Sequence, residues 1–340
     1  MSEILPTPEA TDTPRREQLL KLLADGATHS GERLAEQLHI TRAAVWKAIN
    51  ALRELGIDIE SQHQGYRLLY AVDLYDAERI RIAMNTAGSA LQRIDVLFSV
   101  DSTNRFVTEQ PATQAGQAVL CVAEIQQSGR GRRGRSWLAP FGAGICMSLG
   151  WLFDSMPPTF SALSLVVGVA LTRALHGVGA HEIGLKWPND VLWRGRKLAG
   201  VLIEMRGEPD GPAHVVIGIG MNLQLPDASK QSLAEQQVQV VDLYEVQGEQ
   251  CPTRNELVAA LTAQLLQVLP SFARDGFAPF VDEWQRYDVL SKMAVNVLLG
   301  ERTLAGVACG VTTDGSLLVE TPQGVQSFVS GEVSLRARNR

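Results

Sequence analysis

Apolar residues recur every three or four positions over the first quarter of the chain, then gather into near-continuous runs. From Arg15 to about Ala24, Leu19, Leu22 and Leu23 fall on one side of a helix that Gly26 ends. Ser30 is placed to cap a short helix that turns Leu34, Ala35 and Leu38 inward. His39-Ile40 makes a turn, and Thr41 caps a second helix. There Val45, Ala48, Ile49 and Leu52 form one core face, which leaves Arg42, Trp46, Lys47, Asn50 and Arg53 pointing outward. After Gly56, Ile57-Asp-Ile-Glu and Tyr66-Arg-Leu-Leu flank Gln62-His63-Gln64-Gly65 as a β-hairpin. This pattern predicts a winged helix-turn-helix over Arg15–Tyr70, with the helix-turn-helix proper at Gly31–Asn50. Arg42, Trp46, Lys47 and Asn50 are its candidate DNA contacts. The segment as a whole carries about as many acidic as basic residues, so a protein-contact role stays open beside DNA binding. Met1–Pro14, with its prolines and threonines, reads as a disordered tail.

Past a linker at Ala71–Ala77 the texture changes. Ile80–Leu91 reads as mostly helical and Asp95–Val100 as a strand. Asp101-Ser102-Thr103-Asn104 breaks that strand, as helix caps or as hydroxyls and an amide that meet a neutral polar ligand. Ala118–Ala123, Ile145–Trp151, Lys197–Glu204 and the glycine-interrupted Val215–Leu223 read as strands, and Phe160–His176 as a long apolar helix after Pro157-Pro158. Lys186 and Lys197 sit in the end regions of a hairpin that turns at Arg194-Gly195. Lys197 abuts a run of small and apolar residues, and a lysine led into a core needs an anionic or carbonyl partner. Gln231–Thr253 is polar and poorly patterned; Asn255–Leu269 and Phe277–Tyr287 read as helices. From Val289 short strands and turns predict a small β-barrel.

One stretch stands out chemically: Gln126-Gln127-Ser128-Gly129-Arg130-Gly131-Arg132-Arg133-Gly134-Arg135-Ser136-Trp137. Glycines let backbone wrap a ligand closely, and guanidinium forks suit phosphates and carboxylates. The match to G-x-G-x-x-G at Gly129, Gly131 and Gly134 is not a dinucleotide fingerprint, because Pro140, Gly142 and Gly144 forbid the helix that must follow. What remains is an anion-closing loop, expected to be flexible; a basic loop with a nucleic-acid role, or none, is the plainer reading.

Composition narrows the rest. The net charge of −6 argues against a general nucleic-acid-coating protein. Cys121, Cys146, Cys251 and Cys309 are widely spaced, which fits free thiols in a reducing cytoplasm. No metal-ligand spacing appears, so no protein-built metal site is expected. The N-terminus carries no signal sequence, and Leu163–Ala170 is too short to span a bilayer, so no membrane role is expected.

The Gly-Arg stretch, with Lys186-Trp-Pro-Asn-Asp190 and Lys197-Leu-Ala-Gly200, resembles the bifunctional biotin–protein ligases that also repress the biotin operon. The resemblance takes in Asp101–Asn104, Gly218-Ile-Gly-Met-Asn222 and Ser330-Gly-Glu-Val-Ser-Leu-Arg336. It implies an α+β multidomain fold: a winged helix-turn-helix at 15–72, a class II synthetase-like mixed sheet with helices at 76–286, and an SH3-like barrel at 287–340. It implies that biotin and MgATP give biotinyl-5′-AMP, which passes biotin to a lysine of the biotin carboxyl carrier protein of acetyl-CoA carboxylase. By the same resemblance Ser102, Thr103, Asn104 and Gln126 contact biotin, and Arg130, Gly131 and Arg132 close over biotin and adenylate. Lys197 meets the carboxylate or the acyl-phosphate bridge; with Arg132 and Lys186 it forms the expected catalytic set. Gly129, Lys186, Asn189, Asp190 and Asn222 are assigned to the nucleotide phosphates, Mg²⁺ or the support behind them, and Trp137 to stacking on adenine. The adenylate-bound form is expected to dimerise and bind operator DNA. A repressor without catalysis and a lipoate or other acyl ligase are the alternatives.

Overall fold

Capping decides where the N-terminal helices begin. The structure is a computed structural model that describes residues 8–157, 159–207, 211–299, 302–329 and 333–337, with side chains left out at 8–13, 86–88 and 333–337. The chain divides into two compact units. The first takes in the chain up to Tyr75 together with Pro140–Gly142. It holds α1 (Pro8–Leu23), α2 (Gly31–Gln37), α3 (Arg42–Glu54) and the antiparallel pair β1 (Ile59–Gln62) and β2 (Gly65–Leu68).

α1 starts at Pro8, so Pro8–Pro14 is helix rather than disordered tail. A proline at the first helical position and acidic residues after it suit a helix start, and low apolar content does not oppose it. Met1–Thr7 lies outside the described residues. Leu19, Leu20 and Leu23 are its buried face; Leu22 is only half buried. The caps fall as expected: Ser30 Oγ accepts from Arg33 N at 3.1 Å and Thr41 Oγ1 from Ala44 N at 3.1 Å. Val45, Ala48, Ile49 and Leu52 are the buried face of α3. Arg53 departs from its outward assignment. It donates to Ile59 O and Ser61 Oγ at 2.7 and 2.8 Å, bracing α3 against β1.

The second unit is built on a seven-stranded mixed sheet in the order β3-β4-β5-β9-β8-β7-β6. Its elements are α4 (Ala77–Met84), β3 (Leu91–Val100), α5 (Thr103–Glu109), β4 (Ala118–Gln126), β5 (Gly144–Phe153), α6 (Leu163–Gly177), β6 (Ile183–Lys186), β7 (Asp190–Trp193), β8 (Arg196–Gly207) and β9 (Ala213–Asn222). Then follow α7 (Asp227–Glu235), α8 (Leu243–Gln247), α9 (Arg254–Asp275) and α10 (Val281–Tyr287). Only β3 and β4 run parallel. Alternation along β5 and β9 gives two faces. Ile145, Met147, Leu149, Trp151 and Phe153 share the face where Phe153 meets Phe272 of α9 edge-on at 6.1 Å. Ser148, Gly150, Gly218 and Gly220 lie on the other, beneath α5.

Two readings in this unit need correction. The Ile80–Leu91 segment is helix only to Met84, turns through a short 3-10 stretch to Ala90, and Leu91 already opens β3. Gln231–Thr253, read as unpatterned, contains the end of α7 and all of α8, which Asp242 caps through Glu245 N at 2.8 Å. The apolar helix expected over Phe160–His176 is present, but the reading of its apolar part as too short for a bilayer is not upheld. Phe160–Gly177 and Arg254–Asp275 are each long and apolar enough to cross a bilayer, yet most of each is buried inside this unit. Arg173, inside the first of these helices, donates to Glu283 of α10 at 2.5 and 2.9 Å.

The C-terminal strands β10 (Ala294–Leu299), β11 (Arg302–Val311), β12 (Leu317–Thr321), β13 (Gly324–Phe328) and β14 (Val333–Ala337) form one antiparallel sheet in the order β13-β12-β11-β10-β14. The Ser330–Arg336 motif contributes β14, and its residues 330–332 lie outside the described residues.

Candidate functional site

The α5 face of the large sheet carries a row of paired residues that runs Lys186–Asp190–Gly200–Gly220–Cys146. Two glycines side by side leave a shelf there, and Trp137 lies on it. A Cβ at Gly220 would come within 2.4 Å of its ring, and one at Gly200 within 3.4 Å. Lys197 reaches the same place through a bulge. Val191 pairs with Ala199 but Leu192 with Lys197, so Leu198 is an extra residue in β8. Strict alternation would send Lys197 to the face of Ala199; the extra residue turns it to the face of Gly200. Its Nζ sits 2.6 Å from Asp190 Oδ1 and 5.5 Å from the centre of the Trp137 ring.

Beside this shelf lies a polar pocket. Ser102, Thr103 and Asn104 are buried at the start of α5. The Ser102 hydroxyl makes no capping bond, so the reading of this cluster as a plain helix cap fails for it. Gln126 Oε1, at the end of β4, accepts from Thr103 N at 3.0 Å and Thr103 Oγ1 at 3.2 Å. Ser148 Oγ, wholly buried in β5, lies 2.7 Å from Thr103 Oγ1 and 2.6 Å from Asn104 Oδ1. Asn104 Nδ2 donates to Glu204 Oε2 at 2.7 Å and to Leu202 O at 3.3 Å. Gly218 makes room for this amide: a Cβ there would stand 2.2 Å from Asn104 Oδ1.

The Gly-Arg stretch is drawn together as a tight hairpin. Trp137 N donates to Gly129 O at 2.8 Å and Gly131 N to Arg135 O at 2.7 Å, with Arg130 and Ser136 paired between them. Gly129 is needed for this closure, since a Cβ would meet Trp137 O at 2.4 Å. Arg133 and Gly134 make the turn with φ of 59° and 71°. The hairpin delivers Arg130 to Glu204, at 3.2 Å, and Arg132 to Asn189 Oδ1, at 3.4 Å. Burial pushes the Arg132 guanidinium below its ordinary pKa, while nearby Asp190 pulls it back up.

Asn222, two residues after Gly220 on the same face of β9, supports the site through the backbone. Its Nδ2 donates to the carbonyls of Lys197 and Val241 at 3.2 and 3.0 Å, which ties β9 to the strand carrying Lys197. The Lys186–Asp190 element is held from behind: Trp187 Nε1 donates to Gly315 O at 3.2 Å, and Ser164 Oγ to Pro188 O at 3.0 Å. Ser148, Glu204 and Arg254 are absent from the sequence reading. Ser148 had one signal, a lone hydroxyl in an apolar strand. Arg254 forms a buried pair with Glu124 at 2.6 Å, and two charges 130 positions apart carry no local signature. In the first unit Trp46 is 57% exposed and Lys47 is exposed. Arg42 pairs with Glu32 at 3.0 Å, and Asn50 Oδ1 accepts from Arg53 at 3.3 Å.

Comparison with known proteins points the same way along the whole chain. Residues 15–67 match an HTH domain, residues 96–222 the biotin/lipoate A/B protein ligase family, and residues 294–336 the biotin protein ligase C-terminal domain. The bifunctional ligase/repressor BirA of Salmonella typhimurium is 36% identical over 325 residues, covering 94% of this chain and 97% of that protein. Its Escherichia coli counterpart is 34% identical over 95% of this chain and 98% of that protein. Among solved structures, the biotin protein ligase of Aquifex aeolicus in complex with biotin and ATP superposes with a TM-score of 0.61 at 29% identity, covering 73% of this chain and all of that one.

Proposed function

Because this chain belongs to the family of bifunctional biotin–protein ligase/repressors, we propose that the shelf and pocket described above form biotinyl-5′-AMP and pass its biotinyl group to a protein lysine. The enzyme is a biotin–protein ligase that also carries a DNA-binding repressor domain. The support for the site lies in one juxtaposition: Trp137 and Lys197 over the Gly200–Gly220 shelf, next to the buried hydroxyls and amides of Thr103, Asn104, Gln126 and Ser148.

Biotin's ring is a cyclic urea with N–H donors and a carbonyl acceptor, and the pocket at Ser102, Thr103, Asn104 and Gln126 supplies neutral partners of both kinds. The valerate carboxylate then points along the shelf to Lys197. A carboxylate oxygen bonds to the α-phosphorus of ATP as the bond from that phosphorus to the β-phosphate oxygen breaks, and pyrophosphate leaves. Lys197, Arg132 and Lys186 neutralise the charge that builds on the oxygens, where a water-poor site makes each cation count for more. In the second step a lysine amine of the carrier attacks the acyl carbonyl, AMP departs, and the amine sheds a proton. No enzyme nucleophile is used; the work is positioning and charge neutralisation. The hairpin at Gly129–Trp137 covers the mixed anhydride, which water would hydrolyse. Trp137 supplies a flat face for adenine.

Among the described residues no three or more His, Cys, Asp or Glu side chains converge on a point. Mg²⁺ is therefore proposed to enter on the phosphates of ATP, with Asp190 and Asn189 as the oxygen donors at the end of the row. There it would neutralise phosphate charge.

The three-domain division at 15–72, 76–286 and 287–340, the winged form of the first part, the synthetase-like character of the central sheet and the SH3-like form of the last belong to the same proposal. So do the biotin carboxyl carrier protein as acceptor, operator DNA met by Trp46, Lys47, Arg42 and Asn50, a homodimer of the adenylate-bound form, and a cytoplasmic location. Leu202–Gly207 of β8 has only β9 for a strand partner among the described residues, and such an edge favours pairing with a second chain. The test is biotin-dependent exchange of labelled pyrophosphate into ATP. Wild-type protein should catalyse it, and Lys197→Ala should lose at least about a hundredfold. Exchange undiminished in Lys197→Ala would remove the lysine from the chemistry.

A further inference from the structure

Two parts of the site converge on one carboxylate that the mechanism above does not use. Glu204 accepts from Asn104 Nδ2 through Oε2 at 2.7 Å, and both its oxygens lie 3.2–3.3 Å from Arg130 Nη2. One contact comes from the first turn of α5, the other from the Gly-Arg hairpin.

The first contact has a consequence for hydrogen positions. A carboxylate only accepts, so it holds the amide with its NH₂ group toward β8. Asn104 Oδ1 is thereby turned to Ser148, 2.6 Å away, where it too can only accept. Ser148 has a single proton, and Oδ1 takes it. The Thr103 hydroxyl therefore receives nothing from Ser148. Its own proton goes to Ser148 Oγ at 2.7 Å or to Gln126 Oε1 at 3.2 Å. In either arrangement Thr103 Oγ1 keeps its lone pairs for a ligand. An amide rotated the other way would offer Ser148 a donor and free the Ser148 proton for Thr103, occupying one of the two lone pairs that hydroxyl could otherwise offer a ligand.

We propose that Glu204 is a positioning residue for the ring of the acyl substrate: through Asn104 and Ser148 it fixes Thr103 as an acceptor for a ring N–H, and it holds Arg130 at the pocket edge. The proposal rests on the reading of this pocket as the biotin-ring site. It accounts for a charged side chain on β8 facing a pocket that is otherwise neutral. It also accounts for Gly218, whose missing side chain is what lets Asn104 lie between Ser148 and Glu204.

The test uses the full chain and biotin itself. Glu204→Gln keeps the shape of the side chain but can present an NH₂ group to the amide and no longer pairs with Arg130. It should raise the Kd and KM for biotin about tenfold, the value of one hydrogen bond between well-placed groups. The kcat of adenylation at saturating biotin and the KM for ATP should stay within about twofold. Ser148→Ala cuts the relay and leaves the Arg130 contact alone, so the double variant Glu204→Gln/Ser148→Ala should lose less than the product of the single losses. Unchanged biotin affinity in Glu204→Gln overturns the proposal, as do fully multiplicative losses or an equal shift in the KM for ATP. Thermal melts of every variant separate loss of fold from loss of affinity. A wild-type chain that melts cooperatively yet binds no biotin removes the reading of the pocket, and the proposal with it.

Discussion

Replacing Gly218 with alanine adds one methyl group at the most crowded point of the pocket. The new carbon would stand 2.2 Å from Asn104 Oδ1 and 2.8 Å from both Cγ and Nδ2. A carbon and an oxygen need about 3.3 Å, so the amide must retreat by about 1 Å. Ser148 lies 2.6 Å from that oxygen and Glu204 2.7 Å from the amide nitrogen, and a 1 Å shift breaks at least one of these bonds. Losing one or two buried hydrogen bonds costs about 1.4–2.8 kcal/mol, or about 10- to 100-fold in biotin affinity. Gly218 sits in an extended strand and does not use the left-handed conformations reserved to glycine, so alanine adds no backbone strain. Overpacking itself should lower stability by about 1–3 kcal/mol, which leaves a folded protein to measure. Calorimetric titration with biotin is the assay, beside a thermal melt. Biotin affinity within twofold of wild type, in a protein that melts cooperatively, would refute the claim that the Asn104 amide forms part of the ring site.

Arg132→Gly removes a guanidinium from beside Asn189 and should let adenylate escape, so that lysines of bystander proteins become biotinylated; a streptavidin blot of a mixture with albumin reads it, and wild-type retention would count against the clamp. Arg254→Met strands the buried Glu124 carboxylate and should cost about 3–5 kcal/mol in urea unfolding, most of it restored by a second change, Glu124→Leu. Burial pushes the Cys146 thiol up to about 12 and Cys251 up to about 11, and raises Cys121 as well. At pH 8 these stay overwhelmingly protonated, so a thiol reagent should titrate the exposed Cys309 first, the half-buried Cys251 more slowly, and the buried Cys121 and Cys146 only on unfolding.

The parts legible in the sequence were those with short-range grammar. Ser30 and Thr41 announce their helices because a cap and its N–H lie within three residues, and Val45, Ala48, Ile49 and Leu52 mark a face by spacing alone. Lys197 is conspicuous in the sequence for running into an apolar strand, and the bulge at Leu198 is what turns it to the shelf. Glu204, Ser148 and the Glu124–Arg254 pair stayed hidden because each gains meaning only from a partner that the sheet brings in from 44 to 130 positions away. The two backbone carbonyls that the Asn222 amide serves belong to Lys197 and Val241, and no spacing in the sequence marks those pairings. Composition makes the Gly-Arg stretch conspicuous, while its hairpin form is not legible, since cross-strand bonds such as Trp137 N to Gly129 O cannot be read from glycine content.

The most direct measurement is a mass spectrum of an apo biotin carboxyl carrier domain after incubation with this protein, biotin and MgATP. The account predicts one added biotinyl group on the carrier, dependent on ATP and lost in Lys197→Ala. An unmodified carrier, with biotin still bound by the protein, would contradict the assignment of the Trp137–Lys197 shelf as the place where the adenylate is made.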